Sequence, residues 1–581
     1  MDKIVRVNMT DKKVTVEPVP DKYKGKGGRW LTSLMVSDEV PAGAHPLGPN
    51  NKLFFAPGMV TGTHAPNSGR ISVGGKSPLT GGIKEANAGS PFPQKLARMG
   101  YAALVLEGLV EDDKRWLLKL GLDGGELLPA DDLKDKGTYE CAKMLWDKYG
   151  EKTAFCVNGP AGEAKMAMAG IAFNDPEGRP ARYAGRGGLG AVMGSKGLKA
   201  IVLEDENAPA VKPKDPEMFK AGQKKLADAI LSHDVTKKGG ALNSYGTAVL
   251  INILNEAGGL PTNNFRTGVF DGAQKISGEA LAEAAKTRGG AGMMGHSCHP
   301  GCIIHCSNVY AKEDGSEHVS CVEYESSWSL GANCGIDNLD QVAELIRMCN
   351  DYGVDTIEAG VTVGVAMEAG LAKFGDGKGA IELFSEIGKR SPLGHILGQG
   401  AQFTGEAYGV TRIPTVKRQG MPAYEPRAVK GIGVTYITTP MGADHTAGYT
   451  IAPEILSVGG KAEPLSAKDK IGLSKAFQQT TAFIDSCGYC LFIAFPILDI
   501  PSGFDGVVET VNGMLGTKYT GDDVTRIGDE ILRIEKDFNV RAGVGGKDAD
   551  RPPEFMRYEK LPPHNHVWDI PDEELDTFWD K

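Results

Sequence analysis

Three cysteines spaced four residues apart constrain this chain more than any other feature of its sequence. Cys298, Cys302 and Cys306 lie in the stretch GMMGHSCHPGCIIHCS, residues 292–307. Three thiolates in a loop of small residues can bind one face of an iron–sulfur cluster, which normally takes four cysteine ligands. The fourth ligand must then come from elsewhere, and the best candidate is Cys490 in the motif DSCGYC.

The same cysteines allow a second interpretation, in which they are buried thiols or zinc ligands. Zinc sites usually combine two C-x2-4-C pairs, whereas the ligands here form an evenly spaced run of three. The spacing therefore favours the cluster.

Composition limits the class of protein. The chain has 581 residues and a net charge of −10, which argues against a nucleic-acid surface. Ten cysteines are too few for a disulfide scaffold in a chain of this length. The first residues, MDKIVRVNMTDKK, lack the apolar core of a signal peptide, and no apolar run is long enough for a membrane span. We therefore expect a cytoplasmic enzyme with no nucleic-acid partner.

The pattern of apolar residues predicts an α+β protein of three domains. Residues 1–208 contain short β-rich runs such as KIVRVNM, KLFFAPG, AALVLEG and AIVLE, which indicate sheets in a sandwich-like arrangement. A Pro- and charge-rich link near 206–215 then leads into long helical patterns. We predict a helical domain with the cysteine loop at 209–415 and a mostly helical domain with Cys490 at 416–581.

Two glycine-rich blocks, residues 61–89 and 182–206, lie in the β-rich part. The second contains GRGGLG, which matches the dinucleotide fingerprint G-x-G-x-x-G. No apolar strand leads into it and no full helix fits after it, so its context excludes a Rossmann site. The blocks fit either tight strand turns or backbone close to a large anionic ligand, with positive charge from Arg70, Lys76, Arg182, Arg186 and Lys196.

A short repeat places two similar loops at helix ends. NDYGVD, residues 350–355, and DSCGYC, residues 485–490, each follow a helical pattern and share a central glycine. Two such loops can be ordinary glycine C-caps. They can also bind a ligand with two-fold pseudo-symmetry, because their carboxylates can accept hydrogen bonds from ring amines. Cys490 favours the second interpretation, since it links one loop to the cysteine run.

Several polar side chains are candidates for proton transfer or carbonyl binding. Glu323, Tyr324 and Glu325 follow the cysteines in VEYESSWSLG, and a carboxyl group in apolar surroundings can have a raised pKa. His445 lies in the small-residue loop TTPMGADHTAG, and Tyr424 lies in MPAYEPR. Each of them can equally be a structural residue.

Taken together, these pieces resemble the tungsten-dependent aldehyde:ferredoxin oxidoreductase family. The resemblance covers nearly the whole chain, and its blocks occur in the family's order. They are KIVRVNMTDKKVTVE, APGMVTGTHAPNSGR, KSPLTG, ANAG, YAALVLEG, NGPAGE, AGRGGLGAVMGSKGLKAI, the cysteine loop, EYE, the two helix-end loops and GADH.

The resemblance implies a tungsten-bis(pyranopterin) cofactor, or tungstopterin, beside one [4Fe–4S] cluster. The family's cluster ligands correspond to Cys298, Cys302, Cys306 and Cys490. Its pterin contacts correspond to Arg70, Asn87, Gly89, Tyr183, Ala184, Arg186, Asp355, Asp485 and Tyr489. A Mg2+ ion bridging the pterin phosphates would use the backbone carbonyls of Asn87 and Ala184. Arg70 would lie between cluster and pterin, on an electron path.

The resemblance also implies a fold and a function. We expect a β-rich base domain that cradles the two pterins, followed by two mostly helical domains. Aldehydes would be oxidised reversibly to carboxylic acids, with Glu325 and His445 as the catalytic pair and Tyr424 beside the substrate. Electrons would pass through the cluster to a ferredoxin or an iron–sulfur partner subunit, in a homo- or hetero-oligomer.

Two alternative functions stay open from the sequence. One is the catalytic subunit of a multi-subunit complex that reduces an aromatic acyl-CoA ring. The other is a cluster-bearing electron-transfer protein without tungsten. A radical enzyme that uses S-adenosylmethionine is disfavoured, because its C-x3-C-x2-C spacing is not present.

The chain departs from the family pattern at three points. Many members space the first two cysteines as C-x2-C, whereas three residues separate Cys298 from Cys302. Asn350 stands where the archetype has Asp, so a pterin hydrogen bond there would be neutral. The chain has no E-x-x-H motif, which puts the interface metal of some homodimeric members in doubt.

Overall fold

The structure, a computed structural model, describes residues 1–580. Its first 203 residues form two six-stranded sheets, which confirms the predicted β-rich base. The strands of the first sheet are β1 (Lys3–Asn8), β2 (Lys13–Pro18), β3 (Leu53–Pro57), β4 (Arg70–Lys76), β5 (Ile83–Gly89) and β6 (Tyr101–Glu107). Those of the second are β7 (Trp116–Gly121), β8 (Gly124–Pro129), β9 (Ala154–Asn158), β10 (Ile171–Phe173), β11 (Arg182–Ala184) and β12 (Leu198–Leu203).

The two sheets repeat one topology. The first has the order β2-β1-β6-β3-β4-β5 and the second β8-β7-β12-β9-β10-β11. In each, the first and sixth strands of the unit pair in parallel and the other neighbours are antiparallel. The base is therefore two copies of one unit, with helices α1 (Gly28–Glu39), α2 (Pro91–Arg98), α3 (Thr138–Tyr149), α4 (Pro160–Glu163) and α5 (Leu189–Ser195) between strands.

Alternating apolar residues stack these elements into layers. On β1, Val5 belongs to a core shared by both sheets, whereas Ile4 belongs to a second core with Leu31 of α1. On the other side, Phe155 of β9 packs in a third core with Leu145 of α3. Because successive strand residues point to opposite faces, one alternating pattern serves both the inner and the outer layer.

Helices dominate the rest of the chain, as predicted. They are α6 (Pro216–Ser232), α7 (Ala241–Tyr245), α8 (Leu250–Glu256), α9 (Gly278–Arg288), α10 (Tyr324–Leu330), α11 (Leu339–Tyr352), α12 (Thr356–Glu368), α13 (Gly377–Lys389), α14 (Pro392–Gly398), α15 (Ala401–Tyr408), α16 (Lys430–Thr438), α17 (Ile451–Glu454), α18 (Lys470–Cys487), α19 (Ala494–Asp499), α20 (Pro501–Leu515), α21 (Gly521–Arg541) and α22 (Asp572–Asp576). The strands here are β13 (Met293–His296), β14 (Ser307–Ala311), β15 (Glu317–Ser320), β16 (Thr415–Val416) and β17 (Gln419–Gly420).

The early helix α6 packs along the late helix α20. A Cβ atom at Gly222 would lie 2.8 Å from the carbonyl oxygen of Gly506, so the two backbones approach closely. The predicted division into segments 209–415 and 416–581 therefore separates two helices that are in contact. That division stays a prediction.

The two repeated loops end helices and contact the base. Gly353 ends α11 and Gly488 ends α18, both in the left-handed conformation that favours glycine. Gly353 lies against Gly159, which follows β9, and Gly488 lies against Gly58, which follows β3. Because β3 and β9 are equivalent strands of the two units, each helix end meets its own copy of the base.

The GRGGLG segment forms no dinucleotide-binding unit. It follows β11, which is antiparallel to β10, and its last two residues begin the seven-residue helix α5. A Rossmann unit needs a parallel crossover with a longer helix. None of the helices within residues 1–580 is long and apolar enough to cross a membrane.

Candidate active site

A cavity of about 490 Å³ is enclosed by residues of the base and of the helical region. Eleven of the predicted site residues line it: Arg70, Asn87, Gly89, Tyr183, Cys298, Cys306, Glu325, Asp355, Tyr424, His445 and Cys490. The remaining five do not line it: Ala184, Arg186, Cys302, Asp485 and Tyr489. One cavity therefore joins the cysteines to the proposed catalytic side chains.

The four cysteines predicted as cluster ligands lie close together. Burial raises the pKa of Cys306 and of Cys490, and negative charge on the nearby Cys298 raises both further. A hydrogen bond with Cys298 raises the pKa of Cys302 well above its usual range. Hydrogen bonding with Cys302 lowers the pKa of Cys298 well below its usual range, so Cys298 is the thiolate of the group. The other three favour the neutral thiol without a cation, and cluster binding would deprotonate them. All ten cysteines are free thiols.

Asn67 ties the cysteine loop to the distant Cys490, and sequence analysis did not single it out. Its N–H donates to Gly301 O (2.9 Å), and its carbonyl oxygen accepts from Cys490 N (2.8 Å). Its side chain accepts from Ile303 N (3.1 Å) and donates to Cys302 Sγ (3.6 Å). The only sequence signal is that asparagine tolerates the left-handed backbone, here with φ of 56°.

We expect Asn67→Ala to loosen the cysteine loop. The variant loses both side-chain hydrogen bonds and places alanine at positive φ, so bound iron should leave to a chelator about tenfold faster than in the native protein, as for lost metal-site support. The control is Asn565→Ala, an exposed asparagine with φ of 59°. Equal rates of iron loss in Asn67→Ala and the native protein would contradict the role.

Arg70 lies between the cysteines and one helix-end loop. Burial raises the pKa of both Cys490 and Asp485, and the positive charge of Arg70 offsets part of that rise. Its Nε donates to the side-chain oxygen of Asn87, whose buried Nδ2 has no partner in the described part of the chain. A Cβ at Gly89 would lie 3.0 Å from Arg70 Nη1 and 3.2 Å from the sulfur of Cys298, so only glycine fits there without displacement.

Buried charges surround each helix-end loop. At the first loop, Arg186 donates to Asp355 (3.1 Å) and to the carbonyl oxygens of Gly420 and Ala443 (2.6 Å each). Asp355 also caps α12 by accepting from Ile357 N and Glu358 N.

At the second loop, the fully buried Arg29 pairs with Glu535 (2.8 Å) and with Asp485 (3.4 Å). Burial raises the pKa of Asp485 to about 8, with the negative charge of Glu85 adding to the effect. The buried side chain of Tyr489 lies beside Thr510 and Cys487.

Two residues predicted to supply positive charge do not reach the cavity. The ammonium group of Lys76 donates to Ala42 O, and that of Lys196 to Asn51 O (2.6 Å) and Gly108 O (3.0 Å). Burial lowers the pKa of Lys196 to about 7. The prediction that these lysines face an anionic ligand was wrong, because both satisfy backbone carbonyls within the base. Arg70 and Arg182 do line the cavity.

Glu325 and His445 form a neutral pair. Nε2 of His445 lies 3.3 Å from Oε1 of Glu325, and Ala423 N donates to Oε2 of Glu325 (3.0 Å). Burial raises the pKa of Glu325 to about 8 and lowers that of His445 to about 4. At neutral pH the carboxyl group is therefore mostly protonated and the imidazole uncharged. His445 Nδ1 is buried without a hydrogen-bond partner among residues 1–580.

Aromatic side chains surround this pair. Tyr424 stacks at a tilt beside Tyr324 and beside His445, with centroid distances of 5.3 and 5.8 Å. Its hydroxyl hydrogen-bonds with that of Tyr449 (2.8 Å). Tyr449 also lines the cavity, and sequence analysis missed it. It lies four residues after GADH, in a stretch without a recognisable motif.

The remaining wall is apolar. Val249, Leu250 and Ile253 at the start of α8, together with Phe492 and Phe495, line the cavity. Phe492 and Phe495 stack with rings 9° from parallel, and Phe495 packs edge-on against Tyr449. A substrate in this part of the cavity would meet methyl groups and ring faces.

A separate cluster of Asp175, Glu177 and His296 lies outside the cavity. Arg179 already pairs with Asp175 (3.2 Å) and Glu177 (3.3 Å). His296 Nε2 lies 2.6 Å from Glu177. The carboxylates are therefore neutralised by protein groups, and nothing at this cluster calls for a metal ion.

Comparisons with known proteins agree with one another. Residues 4–205 match the model of the aldehyde ferredoxin oxidoreductase N-terminal domain, and residues 222–580 match that of domains 2 and 3. Tungsten-containing aldehyde ferredoxin oxidoreductases of Pyrococcus abyssi and Pyrococcus furiosus are each 36% identical to the chain, covering 96% of it and 92% of each relative.

More distant proteins share the fold. The aliphatic sulfonate oxidoreductase WOR-like subunit of Pyrococcus furiosus is 24% identical and covers 96% of the chain and 90% of that protein. The active-site complex BamBC of benzoyl coenzyme A reductase with 1,5-dienoyl-CoA superposes with a TM-score of 0.81 at 18% identity, covering 100% of the chain and 93% of its own. The chain is an oxidoreductase that belongs to the aldehyde ferredoxin oxidoreductase family.

Proposed function

We propose that this chain is a tungsten-dependent enzyme that oxidises aldehydes to carboxylic acids, reversibly, and passes the electrons to a ferredoxin or an iron–sulfur partner subunit. One observation carries the proposal: the neutral pair of Glu325 and His445 shares a cavity with Cys298, Cys306 and Cys490. Relatives named tungsten-containing aldehyde ferredoxin oxidoreductase support it. A cytoplasmic location would suit such a partner.

The residues present fit the proposed cofactors, a tungsten-bis(pyranopterin) group, a [4Fe–4S] cluster and Mg2+. Four neighbouring thiols supply a cluster's ligand number. The unpartnered Nδ2 of Asn87 and the guanidinium of Arg70 can donate to an anionic pterin. The resemblance assigns Mg2+ to the carbonyls of Asn87, which lines the cavity, and Ala184, which lies outside its lining. Bound tungstopterin would supply the two-electron redox step, and the cluster would pass electrons on singly.

Glu325 handles the proton in this proposal. Oxidation of an aldehyde with water gives a carboxylic acid, two electrons and two protons, so the site needs a group that accepts a proton near neutral pH. A carboxyl group with a pKa of about 8 meets that need, because general catalysts work best when their pKa is near the working pH.

His445 orients the carbonyl group. As the ionised Glu325 takes up the proton, its new hydroxyl can donate to Nε2 of His445, which leaves the ring proton on Nδ1. Nδ1 is free to donate a hydrogen bond to the aldehyde oxygen. The hydroxyl of Tyr424, held by Tyr449, is the second donor on this side.

The apolar wall predicts which aldehydes react best. Because Leu250, Phe492 and Phe495 offer no partner for a charge, kcat/KM for benzaldehyde should exceed that for glyceraldehyde 3-phosphate about a hundredfold, as burial of an unpaired charge would require. The measurement is initial rates with a viologen acceptor. Equal values for the two substrates would contradict this prediction.

The same assay tests the proposed function. Anaerobically purified protein should reduce viologen when an aldehyde is added, and benzoyl-CoA with a strong reductant should give no ring reduction. Ring reduction without aldehyde turnover would instead assign the acyl-CoA reaction. If the iron-loaded protein catalysed neither aldehyde oxidation nor ring reduction, only the interpretation as an electron-transfer protein would be left.

A further inference from the structure

The surface beside the cysteine loop is basic, although the whole chain has a net charge of −10. Three exposed lysines lie on the segments that flank this loop: Lys220, Lys224 and Lys238. Within residues 1–580, Lys224 is the one among them that forms an ion pair, with Asp228. The exposed Asp234 is likewise paired, with Lys237. Among the exposed charged residues of 217–238 without an ion pair in the described residues, Lys220 and Lys238 are positive and Glu217 is negative, which leaves an excess of positive charge.

Helix α6 brings two of these lysines to one side of the loop. Gln223 of α6 donates to the carbonyl oxygen of His64 (2.7 Å), and Asn67, three residues later, donates its N–H to Gly301 of the loop. Lys220 precedes Gln223 by three residues and therefore shares its helix face, and Lys224 lies one turn after Lys220. The exposed side of α6 thus borders the cysteine loop.

Lys238 lies on the other side of the loop. The next residue, Gly239, donates its N–H to the side-chain oxygen of Asn243 (3.0 Å). The side chain of Asn243 in turn donates to His305 O (3.3 Å), between the second and third cysteines. Lysines therefore flank the loop from two directions.

Exposed apolar side chains complete the surface. Tyr245 is 39% exposed and Met293 is 42% exposed, and they lie on α7 and β13, which pack together beside the loop. Aromatic residues and methionine are enriched at the centres of protein interfaces. The loop tip at Pro300 and Gly301 is exposed between Cys298 and Cys302. A cluster held here would lie close to solvent.

We propose that this surface docks a small acidic iron–sulfur protein of the ferredoxin type. The docking face is defined by Lys220, Lys224, Lys238, Tyr245, Met293 and Pro300. Its lysines attract and orient an acidic partner, its apolar pair forms the contact, and its loop tip brings the partner's cluster near the cysteines. The inference deepens the proposed function and rests on it for the nature of the partner.

The test is binding of an acidic [4Fe–4S] ferredoxin to the iron-loaded full chain, measured by calorimetry. K220E/K238E should raise the Kd at least about tenfold at low salt, and the difference should shrink as salt screens the charges. The matched control is K13E/K378E, since Lys13 and Lys378 are also exposed lysines without an ion pair in the described residues and lie on β2 and α13. Viologen-linked turnover of both variants should match the native protein.

Each outcome decides the proposal. A Kd raised in K220E/K238E alone supports the docking face, whether or not the native protein oxidises aldehydes, because binding is measured without turnover. An unchanged Kd, or equal weakening in both variants, overturns it. Light scattering that shows K220E/K238E to be less oligomeric than the native protein would assign the face to a second copy of this chain and would also overturn it. If the native protein does not oxidise aldehydes, that result contradicts the proposed function and leaves the docking face unaffected.

Discussion

Glu325→Gln should lower kcat for aldehyde oxidation by about a hundredfold or more, the usual contribution of a positioned general acid or base. Glutamine keeps the volume and can still accept a hydrogen bond from Ala423 N, but it cannot take up a proton. Tungsten and iron content should stay at native levels. The measurement is steady-state turnover with metal analysis of the same preparation.

The pH profile separates this role from a structural one. With a pKa of about 8, Glu325 is ionised only as the pH rises through that value, so native kcat should increase from pH 6 to pH 9. Glu325→Gln should flatten the rise. His445, with a pKa of about 4, stays neutral throughout this range. Full turnover of a metal-loaded Glu325→Gln variant would remove Glu325 from proton transfer.

Stability gives an independent readout of the same pKa. The folded protein holds a proton on Glu325 up to about pH 8, whereas an unfolded glutamate loses it at its ordinary value of 4.5. The folded state therefore binds more protons between these values, and this group makes the protein less stable as the pH rises through the window. Glu325→Gln should melt progressively higher than the native protein over the same range.

Cys490→Ala should abolish the cluster. Iron should fall from about four atoms per chain to less than about half of that, because a cubane cluster normally needs its fourth thiolate. Aldehyde-dependent reduction of ferredoxin should fall with it. The change tests whether a ligand from the loop after α18 completes the run of three cysteines that lies almost two hundred residues earlier in the chain.

The matched control for Cys490→Ala is Cys321→Ala. Cys321 lines the same cavity, and Arg182 Nη1 donates to its sulfur (3.3 Å), but the proposal gives it no ligand role. Cys321→Ala should keep its iron. Iron loss from Cys321→Ala with retention in Cys490→Ala would reverse the ligand assignment.

Much of the fold could be predicted because local patterns decide it. The four strand-like runs KIVRVNM, KLFFAPG, AALVLEG and AIVLE lie on β1, β3, β6 and β12, and the long helical patterns that follow the link near 206–215 lie on helices such as α6, α11 and α12. Both helix-end loops carry their glycine in the left-handed conformation that a C-cap requires. In each case a short stretch contains enough information to fix its own backbone.

The patterns in the sequence did not predict that the base consists of two copies of one unit. Its equivalent edge strands β5 and β11 have the sequences IKEANAG and RYA, and apart from Ile83 they carry none of the β-branched side chains that mark strands. One trace of the repeat survives. DKYKGKG at 21–27 and DDLKDKG at 131–137 both precede the first helix of their unit, and Gly25 and Asp135 both have positive φ.

The site shows a similar division. Family motifs pointed to Glu325, His445 and Tyr424, and the fold brings all three into one cavity. Tyr449 and Asn67 escaped notice because their importance comes from partners distant in sequence. Lys76 and Lys196 were interpreted as anion ligands because a sequence shows which residues are charged. It does not show that their ammonium groups donate to backbone carbonyls of the base.

The most direct test of the central claim is metal analysis of anaerobically purified native protein, followed by aldehyde addition with electron paramagnetic resonance as the readout. The proposal predicts about one tungsten and about four iron atoms per chain, and a reduced-cluster signal that develops when the aldehyde is added. Iron without tungsten or molybdenum, and no signal on aldehyde addition, would contradict it and withdraw the roles of Glu325 and His445.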